Sequence, residues 1–420
     1  MTPSTAVAFN PRPTATPAVT EADMLDRARA LGPRLATRAD ETERLRRLPE
    51  TTVTDLHAGG FLKVLQPEMF GGLGLDWSTH VRLGVELARY CGATAWIQCV
   101  VGVHAWLAAR LPLEGQRDIW GHGPDVLIAT AIAGGLDSRV DHVSDGYVLS
   151  GRWRFASGID HADWVILGAM PDDDQARKDH NWLELALPKT DVTVIDTWQS
   201  ASLAGTGSND VVVERVFVPT HRTVWRKAMR AGATPGSVAH DHDVHHVQFT
   251  PYFGSIVLGP VLGAAKGALE AYVGQTRARI GHMRGDAIAR QVPVQTRLAE
   301  SAAEVRAAAA LVERTLTLLD TAARARRNVT KAEWTKMRAD GAFAGRLCMS
   351  AADRLVKSMG AGGLTRDNPV RRFHADLMGM TAHISQQWDL NAAPFGAWAL
   401  GVPTDNQEIN AAPDGDDGLF

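Results

Sequence analysis

The hydrophobic period of the chain changes twice along its length, and that double change restricts the fold more than any other feature. From about Glu21 to Gly121 the pattern reads as helices. Thr51 is placed to cap one that carries Val53 and Leu56, and the run from Thr94 to Arg110 is apolar on nearly every side, the mark of a buried helix. Pro112 ends that run, because proline cannot continue a helix hydrogen-bond ladder. From Pro124 to about Arg222 the runs become short and β-branched. VLIATAIA is followed by Asp145-Gly146 between SRVDHVS and YVLSGRW, a hairpin signal, and then by WVILGAM, WLELALP, VTVIDTW and VVVERVFVP. After about Val247 helical spacing returns. Val294, Leu298, Ala302, Val305, Ala309, Val312, Leu316 and Leu319 recur at three- and four-residue steps and predict one stripe of a long helix. Further helices are expected over 331–358 and 369–400.

This order predicts a mainly α chain with a central β domain: an N-terminal helical domain over 21–123, a small barrel or sandwich over 124–230, and a four-helix bundle over 248–401. A linker is expected over 231–247 and a tail over 402–420. The Pro, Thr and Ala content of 1–20 reads as a flexible lead-in, without the basic and apolar regions of a secretory signal.

At 420 residues and 45% hydrophobic content the chain can bury two or three cores. Its net charge of −3 gives no electrostatic argument for nucleic acid or membrane. No stretch approaches ~20 uninterrupted apolar residues, so no membrane span is expected. Three cysteines, Cys91, Cys99 and Cys348, do not make a disulfide framework and suit a reducing cytoplasm. The run HDHDVHH at 240–246 alternates histidine and aspartate as a metal site can, but nothing downstream completes one. It is read as a hydrophilic loop with no metal.

The chemistry concentrates in the β segment. GRWRFASGIDHADWVILGA (151–169) is a strand, a turn of small residues and a second strand; LAGTGSNDVVVERVFVP (203–219) is a Gly/Thr/Ser turn leading into a strand. Such turns expose backbone N–H groups and short hydroxyls that can hold the polar edge of a planar ring, and they also serve as plain strand connections. There is no GxGxxG signature after a strand, so a nicotinamide site is not expected in this chain.

QPEMFGGLGLDW, GRWRFASGIDHADW, GTGSNDVVVERVFVP and LGAAKGALEAYV fall in the order and spacing of the acyl-CoA dehydrogenase superfamily, from about Arg27 to Gly401. GVHAWLAARLP, DNPVRRFHAD and AHISQQWD resemble its two-component flavin monooxygenases, which hydroxylate phenols and related aromatics. The Tyr-Glu-Gly stretch common near the last bundle helix of the dehydrogenases is absent. A dehydrogenase needs a positioned carboxylate base, whereas an oxygenase needs space and donors above a reduced flavin.

The resemblance implies site residues. Ser157 falls near flavin N5, within a cofactor contact that includes Ala156, Gly158 and Thr130. His383 and Ile384 fall beside the flavin, with His383, expected on a bundle helix, as the catalytic imidazole that accepts a substrate proton or stabilises the peroxide. His104 and Trp96 fall at the substrate pocket, with His104 as the second catalytic candidate. Arg279 aligns with an arginine that reaches the flavin phosphate of a neighbouring subunit, and Ala361 and Gly362 with a backbone approach to the flavin. Bland readings stand beside these: a serine capping a turn, a packed histidine, a solvated arginine at a helix end, with Arg277 close enough to exchange places with Arg279. The implied activity uses reduced flavin (FMNH2 or FADH2) and O2 through a C4a-hydroperoxide to hydroxylate a small phenolic or indolic substrate. A separate NAD(P)H-dependent reductase supplies the flavin by diffusion, and a homotetramer is expected. The alternatives are an acyl-CoA dehydrogenase-like enzyme, an amine or sulfur oxygenase of the same fold, and a non-enzymatic flavin-binding protein.

Overall fold

Thr20 opens the first helix, α1 (Glu21–Leu45), with a reciprocal cap: its hydroxyl accepts from the Asp23 amide and the Asp23 carboxylate accepts from the Thr20 amide. In this computed structural model the described residues are 19–132, 134–135, 137–232, 234–280, 287–415 and 418. The lead-in expected over 1–20 lies outside the described residues apart from its last two. Four helices follow α1: α2 (Glu50–Ala58), α3 (Trp77–Ala88), α4 (Gly92–Ala108) and α5 (Leu113–Trp120). Thr51 is not the cap expected of it. The helix starts one residue earlier, after Pro49, and Thr52 and Leu56 are the buried positions. Helix α4 is buried on almost every side, as its all-round apolar sequence requires.

The chain then forms β1 (Ile128–Ala131), β2 (Arg139–Val143), β3 (Gly146–Ala156), β4 (Trp164–Ala169), α6 (Asp174–Lys178), β5 (Leu183–Pro188), β6 (Thr193–Ile195), β7 (Asn209–Pro219) and β8 (Thr223–Trp225). Two four-stranded sheets result, in the orders β1-β4-β5-β8 and β2-β3-β7-β6. Only β1 and β4 run parallel. Asp145, at φ 63°, makes the β2–β3 hairpin turn. Alternation divides the first sheet between two cores. Ala129, Val165, Leu167, Leu185 and Leu187 face the second sheet, whereas Ile128, Ile166 and Ala186 join the helical core. That is why VLIATAIA is apolar on both faces.

After α7 (Arg226–Ala231) and α8 (Phe249–Phe253) come the bundle helices α9 (Leu258–Ala278), α10 (Val292–Arg324), α11 (Lys331–Ser358), α12 (Pro369–Thr381) and α13 (Trp388–Ala399). A short α14 (Gln407–Asn410) follows. Val294, Val305, Val312, Leu316 and Leu319 of the expected α10 stripe are buried. The stretch Phe249–Ala278 is long and apolar enough to cross a membrane by length and composition. Its apolar residues, Leu258, Val261, Leu262, Ala265 and Ala268 among them, are buried, and α9 packs against α3, α11 and α12.

Two expectations are corrected. The segment 240–246 is not a hydrophilic loop: His240 and His245 are buried, and Arg110, wholly buried on the Trp106 ring, donates to the carbonyls of Gly232 and Val247. Among the described residues no group of three or more His, Cys, Asp or Glu is arranged to hold a metal. The helix expected over 369–400 is broken. His383 caps a 3-10 turn between α12 and α13 rather than riding a bundle helix.

Candidate active site

A bulge at the end of β3 aims Ser157. Three steps along β3, from Trp153 to Ala156, match two along β7, from Val211 to Asn209, and Phe155 takes φ 68° with its side chain largely exposed. The chain then turns at Gly158, φ 74°, whose amide donates to the Thr206 carbonyl at 2.9 Å. A Cβ there would stand 2.9 Å from Val101 Cγ2, so glycine lets the turn press against α4. Ala156 and Ser157 are buried.

Helix α4 supplies Trp96 from the other side. Its indole N–H reaches Ser157 Oγ at 3.4 Å, and its ring meets the His383 ring edge to face at 5.6 Å. The structure therefore brings Trp96, Ser157 and His383 together from three separate parts of the sequence. His383 is half-buried. Its Nδ1 accepts from the Ser385 amide at 3.3 Å and lies 2.9 Å from the Ser385 hydroxyl. Desolvation holds its pKa down to about 4, so the ring is neutral near pH 7. With Nδ1 an acceptor, the proton sits on Nε2. Asn391 fixes this turn by donating to the carbonyls of Ile384 and Gln387, leaving the Ile384 side chain exposed.

His104 lies on the same helix but not in this group. It is wholly buried and its two nitrogens are both engaged. Nδ1 meets the Ile128 carbonyl at 2.6 Å, which requires Nδ1–H, so Nε2 accepts from the Thr130 hydroxyl at 2.8 Å. Burial pushes its pKa down to about 3. No nitrogen is left for a substrate, and the pair His104–Thr130 fastens α4 to β1. The structure thus places His104 and Thr130 against each other and the Ile128 carbonyl, apart from the group around Trp96.

Arg279 ends α9 and donates to the Met359 carbonyl at 2.8 Å. It is thereby joined to the 3-10 turn Gly360–Leu364 that carries Ala361 and Gly362, where nothing stands within 4 Å of a Cβ built on Gly362. No hydrogen bond or ring contact among the described residues links these three to Ser157.

Sequence reasoning missed Thr206 and Ser208. Ser208 Oγ lies 2.8 Å from Ser157 Oγ and 2.7 Å from Thr206 Oγ1. It also missed Asp376 on α12, whose carboxylate accepts from the Leu203 amide at 3.1 Å. The turn 203–209 was visible as a motif; its pairing with Ser157 was not.

The acyl-CoA dehydrogenase N-terminal domain family matches residues 20–120, and the acyl-CoA dehydrogenase C-terminal domain family matches 256–388. The oxygenase subunit HsaA of a flavin-dependent monooxygenase from Rhodococcus jostii is 32% identical over 392 residues, covering 90% of this chain and 98% of that one. The oxygenase component of an FADH2-dependent resorcinol hydroxylase from a Rhizobium species is 31% identical, covering 88% of this chain and 92% of that one. The crystal structure of a 3-HSA hydroxylase from a Rhodococcus species superposes with a TM-score of 0.85 at 30% identity, covering 92% of this chain and 98% of that one. The chain belongs to the acyl-CoA dehydrogenase superfamily, in its branch of flavin-dependent monooxygenase oxygenase components. It is an oxidoreductase that works with reduced flavin and O2.

The residues present fit a flavin ring. Trp96 gives an apolar wall, and the Ser157 hydroxyl and the His383 Nε2–H give polar atoms for a heterocycle edge. A cavity of about 210 Å³ shares no residue with this group; its lining of Arg314, Glu333, Lys336 and Asp340 is charged where an aromatic ring needs apolar walls.

Proposed function

We propose that the chain hydroxylates a small phenolic or indolic substrate, with the flavin ring held by Ala156, Ser157, Gly158, His383 and Ile384. Bound reduced flavin with O2 supplies the electrophilic oxygen. The carrying observation is the convergence of Trp96, Ser157 and His383. Trp96 offers a face for an aromatic ring. His383 is neutral and carries its proton on Nε2, so it binds a substrate oxygen by donating. Taking a second proton would turn Nδ1 from an acceptor into a donor facing the Ser385 amide, and that opposes the general-base role. The packed side chains of α4 and the β3 turn exclude water, which favours oxygen transfer over release of hydrogen peroxide.

The resorcinol hydroxylase relative is itself an oxygenase component, which supports a separate reductase as the source of reduced flavin here. A homotetramer accounts for the split between the two residue groups: Arg279, Ala361 and Gly362 serve the phosphate side of a neighbour's flavin, where a guanidinium suits phosphate. Supplying reduced flavin and O2 with a panel of phenols, indoles and thiophenes, with products identified by mass, tests the reading. Phenol or indole gain of one oxygen is expected. Oxygenation of the sulfur compounds alone, or bleaching of bound oxidised flavin by an acyl-CoA, overturns it.

A further inference from the structure

The hydroxyls behind Ser157 form a chain with a fixed end. Thr206 Oγ1 lies 3.0 Å from the Leu203 carbonyl oxygen, which can only accept, so the Thr206 hydroxyl donates there. Its single proton is then used. Ser208, 2.7 Å away, must donate to Thr206, and Ser157, 2.8 Å further on, must donate to Ser208. The polarity set at Leu203 thus runs through three side chains to Ser157. Trp96 Nε1–H points at Ser157 Oγ from 3.4 Å and takes one lone pair. What Ser157 has left is one lone pair and no proton.

The anchor is rigid. Leu203 takes φ 50°, and its amide is held by the buried Asp376 carboxylate at 3.1 Å. Its carbonyl also accepts from the Trp198 indole at 3.0 Å and the Thr206 amide at 3.1 Å. Thr206 and Ser208 are themselves buried, so water does not compete for their protons.

We infer that Thr206 and Ser208 are positioning residues that make Ser157 an acceptor, and so give the site its preference for reduced over oxidised flavin. This rests on the reading that Ser157 faces the flavin N5 edge. Reduced flavin carries a hydrogen on N5 and can donate to the remaining lone pair. Oxidised flavin has only a lone pair at N5, and two acceptors facing each other in a dry site repel. Discrimination between oxidation states then comes from a carbonyl three hydroxyls away, not from a residue that touches the ring.

The test is binding rather than turnover. Affinities for reduced and for oxidised flavin are measured anaerobically by titration, with fold and assembly checked by circular dichroism and light scattering. The wild-type protein binds the reduced form more tightly. Thr206→Val and Ser208→Ala each free the Ser157 rotor, and the reduced-to-oxidised affinity ratio falls about fivefold to tenfold, the scale of one hydrogen bond. Thr206→Ser keeps a hydroxyl on the anchor and retains most of the ratio, which guards against a mere folding defect. If Ser157→Ala lowers the ratio while Thr206→Val and Ser208→Ala do not, Ser157 faces N5 but the chain behind it does not set its polarity, and the inference fails alone. If Ser157→Ala changes neither affinity, the placement of Ser157 at N5 fails and the inference with it. A ratio that rises in Thr206→Val means the chain runs the other way.

Discussion

The Trp96 indole and the His383 imidazole meet edge to face, centroids 5.6 Å apart and planes inclined at 73°, although 287 positions separate them in sequence (383 − 96). The contact holds the imidazole against the same indole whose N–H reaches Ser157, and burial of the imidazole keeps it neutral. His383→Ala therefore removes a donor and half of an aromatic wall without touching a core. Product formation falls by ~100-fold, the usual scale for a positioned group. Hydrogen peroxide release rises, while flavin binding stays within a few-fold. Comparing product with peroxide yield per reduced flavin settles it; normal coupling in the variant would make His383 structural.

His104→Leu answers differently. The substitution leaves the Ile128 carbonyl and the Thr130 hydroxyl buried without their partner. A loss of about 1–3 kcal/mol is expected from unsatisfied groups of this kind. Thermal unfolding shows a lower midpoint, whereas the ratio of product to peroxide is retained. A variant of unchanged midpoint with lost coupling would return His104 to the catalytic list.

Where the sequence spoke and where it did not has a physical basis. The long stripe from Val294 to Leu319 was legible because one helix writes its own period. So were the strands, because alternation and the Asp145-Gly146 turn are local signals. The break at His383 was not. AHISQQWD holds neither proline nor glycine, and the turn exists because Asn391 captures two carbonyls and His383 caps the Ser385 amide. The buried state of His240 and His245 was equally hidden, since Gln116 of α5 reaches His240 and Arg110, just past α4, ties down the Val247 carbonyl beside them. The Thr206–Ser208–Ser157 chain joins residues 51 positions apart across two turns, a distance no motif records.

Acid should unfold the protein well above the carboxylate range. Burial lowers His80, His240 and His383 to about 4 and His104 to about 3, and His245 shifts the same way. The unfolded chain binds these protons near pH 6.5 and the folded chain does not, so stability is intact above ~6.5 and falls as pH drops toward 4. Denaturant midpoints should hold from pH 7.5 to about 6.5 and decline from there to 4.5, and His104→Leu, with one fewer such group, should decline less steeply. A flat profile contradicts the neutral buried state of these rings.

Asp376 works in the opposite sense. Burial raises it to about 7, assisted by Glu43 and opposed by the Leu203 amide, Arg372 and Arg371. The folded state holds its proton between roughly pH 4 and 7 while the unfolded state does not, so this group favours the fold at lower pH and disfavours it as pH rises. Asp376→Asn keeps an oxygen for the Leu203 amide. It should leave stability near pH 5 unchanged and raise it near pH 8. Equal effects at both pH values would show that the carboxyl is ionised throughout.

Arg279 carries the prediction about assembly. Phe343, Met378, Ile384, Trp388 and Leu390 are large apolar side chains left exposed on one protomer, four of them clustered in sequence around the His383 turn. Such a surface favours association. Light scattering is expected to give four times the chain mass of 45.3 kDa. Arg279→Ala keeps that mass, because its hydrogen bond is to its own Met359 carbonyl, but weakens flavin binding about tenfold by removing a phosphate partner. Mixing Arg279→Ala with Ser157→Ala protomers then separates the models. If the two residues serve flavins in different subunits, mixed tetramers contain some sites with both residues intact and recover affinity that neither variant has alone. If both act on one protomer's flavin, every site in the mixture lacks one of them and no recovery appears.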